Sequence, residues 1–215
     1  LTAIHPQSIQ SQQAPMASYA DQRADTRVRT VLQSARLIGE GRQTLCVVRD
    51  ISERGMKVRL FGEIAKGERV CVELKGGHTV LAKVVWVADG FAGLELEQRI
   101  DVDNIFGTAE PDFSYRSPRL EVDATVTVNF GRTHAIMTII DISVSGMKLM
   151  GGDTLIRGEQ LSVEIEGLGK IDAKVRWKAS DLVGIEFESP LSVAKLADWA
   201  KQREFRRSVA DMVDR

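Results

Sequence analysis

The chain has 215 residues, with 29 Lys and Arg against 30 Asp and Glu and a formal net charge of −1, which leaves room for one large domain or two small ones of about 100 residues each. So even a balance excludes the global basic field that holds long nucleic acid, and any bound anion must be met by a local arginine cluster. No apolar run approaches the ~18 residues a spanning helix needs, and Cys46 and Cys71, in β-like runs without a CxxC, make no disulfide framework; they are expected as reduced thiols of a cytoplasmic protein.

The opening stretch, residues 1–18, is polar and rich in Gln and Ser, with no apolar h-region. It does not read as a signal peptide and is expected to be a disordered tail. Beyond it, period-two alternation dominates. Val70, Val72 and Leu74 alternate with Cys71, Glu73 and Lys75, which puts the apolar set on one face of a strand. Gly67 and the Gly76-Gly77 pair interrupt such runs and suit hairpin turns. QRIDVDNIFG, ending at Gly107, leaves room for only a short helix, and residues 108–118 read as a linker. Strands resume with Leu161, Val163 and Ile165, then with Ile171, Ala173, Val175 and Trp177, Gly158 standing before them. After Pro190 the period changes to 3.6: Val193, Leu196, Ala197 and Ala200 share a stripe, and Phe205, Val209, Met212 and Val213 continue it, predicting a C-terminal helix over 191–215.

The chain repeats itself. DISERGMKV from Asp50 matches DISVSGMKL from Asp141, and AKVVWVADGFAGLELE from Ala82 matches AKVRWKASDLVGIEFE from Ala173. One offset of about 91 residues aligns Asp50–Glu97 with Asp141–Glu188 without a gap, at roughly two identities in five positions. Each copy carries five or six short strands with one apolar face. In about 80 residues, a small closed barrel hides that face and removes the sheet edges. The fold class expected is therefore mostly β: two tandem six-stranded barrels and a C-terminal helix. Trp86 and Trp177 share the apolar face of their strands and are assigned to the barrel cores.

The candidate chemistry lies in the first copy. RADTR, Arg23 to Arg27, is followed about 23 residues later by DISERG, Asp50 to Gly55. A guanidinium pairs bidentately with phosphate, hydrogen-bonds a guanine Hoogsteen edge and stacks flat on a base. Asp50 and Ser52, two residues apart on a strand, face the same way. The carboxylate can accept from a guanine N1–H and N2–H₂ pair. Gly55 gives backbone freedom or close approach. Taken singly, Arg23 and Arg27 read equally as solvated charges, Asp50 and Ser52 as turn caps, and Gly55 as a turn glycine. Arg29 and Arg54 are assigned surface roles.

Together these motifs resemble the PilZ signature, RxxxR followed by [DN]xSxxG, in a similarity that extends to Gly67, Trp86 and Gly93 and covers nearly all of residues 19–190 in two copies. The resemblance implies a PilZ-like domain 1 over 19–107 with an intact ligand motif, and a PilZ-like domain 2 over 119–190 with a degenerate one. It implies that each is a six-stranded barrel, the first binding cyclic di-GMP on its outer surface and the second weakly or not at all. Arg23 and Arg27 would grip phosphates and guanine, Asp50 and Ser52 would contact a guanine edge, and Gly55 would leave room. Cyclic di-GMP is then a ligand, and no cofactor is expected. The family context suggests a receptor controlling motility, attachment or exopolysaccharide through a downstream protein partner.

The second copy keeps Asp141, Ser143 and Gly146 in register. Aligning the starts of the first strands places Arg119 opposite Arg27 and Tyr115 opposite Arg23, so the arginine pair is broken. Arg119, Asp141, Ser143 and Gly146 make at most a weaker second site. No catalytic motif is present, and His5, His78 and His134 lie far apart with no metal-ligand spacing; the chain does not read as an enzyme. The alternative is a pair of ligand-free adaptor barrels whose C-terminal helix docks a protein. A small barrel for nucleic acid is disfavoured by the acidic balance and the absence of interleaved surface aromatics.

Overall fold

The computed structural model describes residues 29–39, 42–106 and 116–213, with the backbone alone at residue 106 and over 204–213. The polar N-terminal stretch, the RADTR segment with Arg23 and Arg27, and most of the linker lie outside the described residues.

The chain folds as expected into two closed antiparallel barrels of six strands and a C-terminal helix. The first barrel comprises β1 (Arg29–Gly39), β2 (Arg42–Ile51), β3 (Gly55–Leu60), β4 (Arg69–Glu73), β5 (Thr79–Ala88) and β6 (Phe91–Leu96). Its strand order is β1-β2-β3-β6-β5-β4, closed by β1 on β4 with Leu37 opposite Val72. The second comprises β7 (Leu120–Phe130), β8 (Thr133–Ser143), β9 (Gly146–Met150), β10 (Gln160–Ile165), β11 (Gly169–Ala179) and β12 (Leu182–Phe187), in the same cyclic order. Closure satisfies the backbone groups that an open edge would leave unpaired.

Alternation decides what fills each barrel. Val70 and Val72 are buried while Arg69 is exposed, and Leu161, Val163 and Ile165 are buried while Glu164 is exposed. The β5–β6 hairpin turns on Asp89 (φ 52°) and Gly90 (φ 76°), the left-handed pair that a two-residue hairpin requires and an Asp-Gly dipeptide supplies. Cys46 and Cys71 are free thiols. Cys46 is fully buried in the first core, and burial pushes its thiol up to about 12.

Two helices follow the barrels. α1 (Val102–Phe106) is short, and Asp101 Oδ1 caps it by accepting from the backbone N–H of Asp103 (3.0 Å) and Asn104 (3.1 Å). α2 (Val193–Val213) begins after Ser192, whose Oγ accepts from Lys195 N–H at 3.1 Å, an N-cap. Leu196, Ala197 and Ala200 are buried as the periodicity predicts, and Trp199 joins them, its Nε1 donating to Glu166 O at 2.7 Å.

The barrels are coupled through β2. Leu45, only 1% exposed, points out of its own barrel and into the cluster that joins α2 to the second core, with Phe61 packed beside it. The Gln43 amide meets one backbone unit of the second barrel at both ends: Nε2 donates to Glu121 O (2.6 Å) and Oε1 accepts from Glu121 N–H (3.3 Å).

The tryptophans correct the sequence reading. Trp86 is 39% exposed and Trp177 40% exposed. The β5–β6 register shifts between Val84 and Trp86, and the β11–β12 register shifts between Val175 and Trp177. A bulge adds one residue and turns every later side chain to the opposite face. Each indole therefore leaves the core and lies on the outside of its barrel.

Candidate ligand-binding groove

One open groove, of about 640 Å³, runs over the outside of the first barrel. Its floor and walls come from the end of β2 and the β2–β3 turn (Asp50, Ser52, Arg54), the start of β3 (Gly55, Lys57), β5 (Trp86) and β6 (Gly93, Glu95).

The turn is built by its own residues. Ser52 donates twice to Gly55 O, from its backbone N–H at 2.8 Å and from Oγ at 3.2 Å. A Cβ on Gly55 would stand 3.0 Å from Leu94 O, so the glycine lets β3 approach β6. The turn-forming role that the sequence offered for Ser52 and Gly55 is thus realised, while both residues also line the groove.

Asp50 sits at the groove edge. Its cross-strand partners are Thr30 on β1 and Lys57 on β3. Oδ1 accepts from Thr30 Oγ1 at 2.9 Å, and among the described residues no cation pairs with it. Lys57 lies instead with Nζ 5.0 Å from the centroid of the Phe91 ring. Trp86 faces Gly93 across the strands and lies on it so closely that a Cβ there would overlap the indole. The groove therefore combines two carboxylates (Asp50 and Glu95), two cationic side chains (Arg54 and Lys57) and an exposed indole. That set suits a planar ligand with N–H donors on one edge and anionic groups beyond it.

The equivalent position of the second barrel is occupied from within. Asp141 is buried and holds Arg119 NH1 through Oδ1 and Lys148 Nζ (3.1 Å) through Oδ2. Ser143 Oγ donates to Gly146 O at 3.1 Å. Gly146 is packed so tightly on Ile185 O that no Cβ fits. All four residues expected of a weaker second site are brought together, with the aspartate already doubly paired.

Arg29 pairs with Ile51 and Thr30 with Asp50, while Leu120 pairs with Ile142 and Glu121 with Asp141, so Leu120 is the counterpart of Arg29 within the described residues. The expected counterparts of Arg119 and Tyr115, Arg27 and Arg23, lie outside the described residues. Sequence reasoning missed Trp86 and Lys57 as groove residues. Its readable signal was the Gly93 and Gly184 opposite each tryptophan, small residues facing large ones in both copies.

Among the described residues, no group of three or more His, Cys, Asp or Glu is placed to hold a metal ion, and no helix is long and apolar enough to cross a membrane.

Among curated proteins, no match to this chain was found. Solved structures with a similar course include PlzA of Borreliella burgdorferi in complex with c-di-GMP, at 12% identity over 82% of this chain and 93% of that one, TM-score 0.35. The Bacillus subtilis inhibitor of motility MotI/DgrA matches at 15% identity over 83% and 99%, TM-score 0.35. YcgR of Escherichia coli in complex with c-di-GMP matches at 14% identity over 84% and 88%, TM-score 0.34. The PilZ domain model matches residues 21–106 and again residues 115–202. Both barrels fall within those two segments, and the chain belongs to the PilZ domain family, which it carries twice in tandem.

Proposed function

We propose that this chain is a non-enzymatic, cytoplasmic receptor for cyclic di-GMP, with its principal site on the first barrel. Asp50 and Ser52 contact a guanine edge, Trp86 offers its face to a base, and Arg23 and Arg27 supply the guanidinium groups for phosphate and guanine. The output is control of motility, attachment or exopolysaccharide through a protein partner.

The observation that carries this reading is the contrast between two equivalent carboxylates. Asp50 faces the groove with one hydroxyl donor among the described residues, while Asp141 is held by Arg119 and Lys148. A carboxylate at the edge of an open groove, beside an exposed indole, can take the N1–H and N2–H₂ donors of guanine; a doubly paired one cannot without losing a partner. Arg27 stands two residues before Arg29 in the sequence, and two residues of chain span at most about 7 Å. Since Thr30 pairs with Asp50, that tether supports Arg27 as a groove residue. The adaptor alternative needs a helix to dock a partner, and the first turns of α2 are spent against β2 and the second barrel. Titration of the full chain with cyclic di-GMP and with cyclic di-AMP at one salt concentration tests the reading, which expects tight binding of the guanine compound and weaker binding of the adenine one.

A further inference from the structure

The two barrels hold the same lysine in different places. Lys57 and Lys148 are repeat equivalents, and each is the cross-strand partner of its motif aspartate. Lys148 uses that adjacency, with Nζ 3.1 Å from Asp141 Oδ2. Lys57 has the same neighbour but lies over the Phe91 ring at 5.0 Å. Phe91 opens β6 and pairs with Arg59, two residues along β3 from Lys57, the diagonal spacing at which an aromatic ring reaches a long side chain. Its counterpart opening β12 is Leu182, which has no π face.

We propose that Phe91 is a positioning residue for the groove: its ring holds the Lys57 ammonium away from Asp50 and so leaves the carboxylate to the ligand. An exposed cation–π contact and an exposed Lys–Asp pair are of similar, small strength. Removing one therefore hands the lysine to the other, as Leu182 does in the second barrel. Arg119 adds to the pairing of Asp141; among the described residues of the first copy, Phe91 and Lys57 are the pair that decides how much of Asp50 is open.

The ligand arm rests on the receptor reading, and a ligand-free arm stands apart from it. In NMR spectra of the full chain without ligand, the Lys57 ε-methylene protons should be shifted upfield by the ring. The shift should disappear in Phe91→Leu and persist in Phe91→Tyr. Unshifted protons in the wild type overturn the proposal whether or not any nucleotide binds. In calorimetry, Phe91→Leu should weaken cyclic di-GMP about two- to fivefold and lower its preference over cyclic di-AMP. Phe91→Tyr should change neither, and adding Lys57→Met to Phe91→Leu should restore the preference for cyclic di-GMP over cyclic di-AMP, whatever the loss of the groove cation does to affinity. Unchanged affinity in Phe91→Leu, or no restoration of that preference in the double variant, overturns the proposal. A wild type that binds no cyclic di-GMP sinks the receptor reading, and the NMR arm then decides the placement of Lys57 alone.

Discussion

Trp86 covers Gly93, its partner on the neighbouring strand, so closely that a Cβ there would overlap the indole, and it lines the groove. If a base stacks there, Trp86→Ala should cost about 1–3 kcal/mol of binding, roughly 5- to 150-fold. The loss of stability should be modest for a side chain 39% exposed. Gly93→Ala should weaken binding too, by pushing the indole off its seat. Tryptophan fluorescence provides the check: a ligand-dependent change present in the wild type should vanish in Trp86→Phe, and its persistence would place the response at Trp177 or Trp199.

Asp50 should decide base identity. Adenine lacks the paired N1–H and N2–H₂ donors of guanine, so the wild type should prefer cyclic di-GMP over cyclic di-AMP. Asp50→Asn should shrink that preference, because an amide presents one acceptor where the carboxylate presents two. Competition calorimetry with both dinucleotides measures the ratio. Equal affinities in the wild type would mean that phosphate contacts alone drive binding.

Arg119 and Asp141 should behave as a fold contact. Arg119→Ala leaves the buried Asp141 with Lys148 alone, and Asp141→Asn leaves Arg119 and Lys148 without their carboxylate; each should destabilise the chain by about 1–3 kcal/mol in denaturant unfolding. Affinity for cyclic di-GMP should stay within about twofold. The whole chain is the material for this test, because Leu45 and Phe61 of the first barrel help to cover the second core, and a fragment from residue 108 onward would lack both. A strong loss of ligand affinity in Asp141→Asn would show the second barrel to be a working site.

Cys46 sets an alkaline limit. Its thiol titrates at about 12 when folded against an ordinary 9.0. Between those values the unfolded chain binds fewer protons than the native one, so this group's contribution is whole below about pH 9 and falls as pH rises toward 12. Cys46→Ala should flatten the alkaline part of the stability profile. In native protein, a thiol reagent should modify the half-buried Cys71 well before Cys46; equal rates would mean that the first core opens readily.

Much of this was legible in the residues. The offset between Asp50 and Asp141 carries through all six strands of each barrel, because a duplicated apolar pattern must be buried twice. The turn glycines, Asp50 beside Ser52, and the helix stripe of Leu196, Ala197 and Ala200 followed from period alone. Trp86 did not, since a bulge between Val84 and Trp86 reverses its face and no two-residue period announces a bulge. Leu45 is buried on the outside of its barrel by a helix that arrives about 150 residues later, a contact that no local period announces.

The most direct test of the receptor account is calorimetry of cyclic di-GMP with the full chain and with Arg27→Ala. Loss of one charge-assisted contact to phosphate or guanine costs about 2–5 kcal/mol, on the order of 30- to several-thousand-fold in affinity. The account predicts binding by the wild type and a loss of that size in the variant. A wild type that does not bind, or an Arg27→Ala affinity within a factor of two of the wild type, would contradict it.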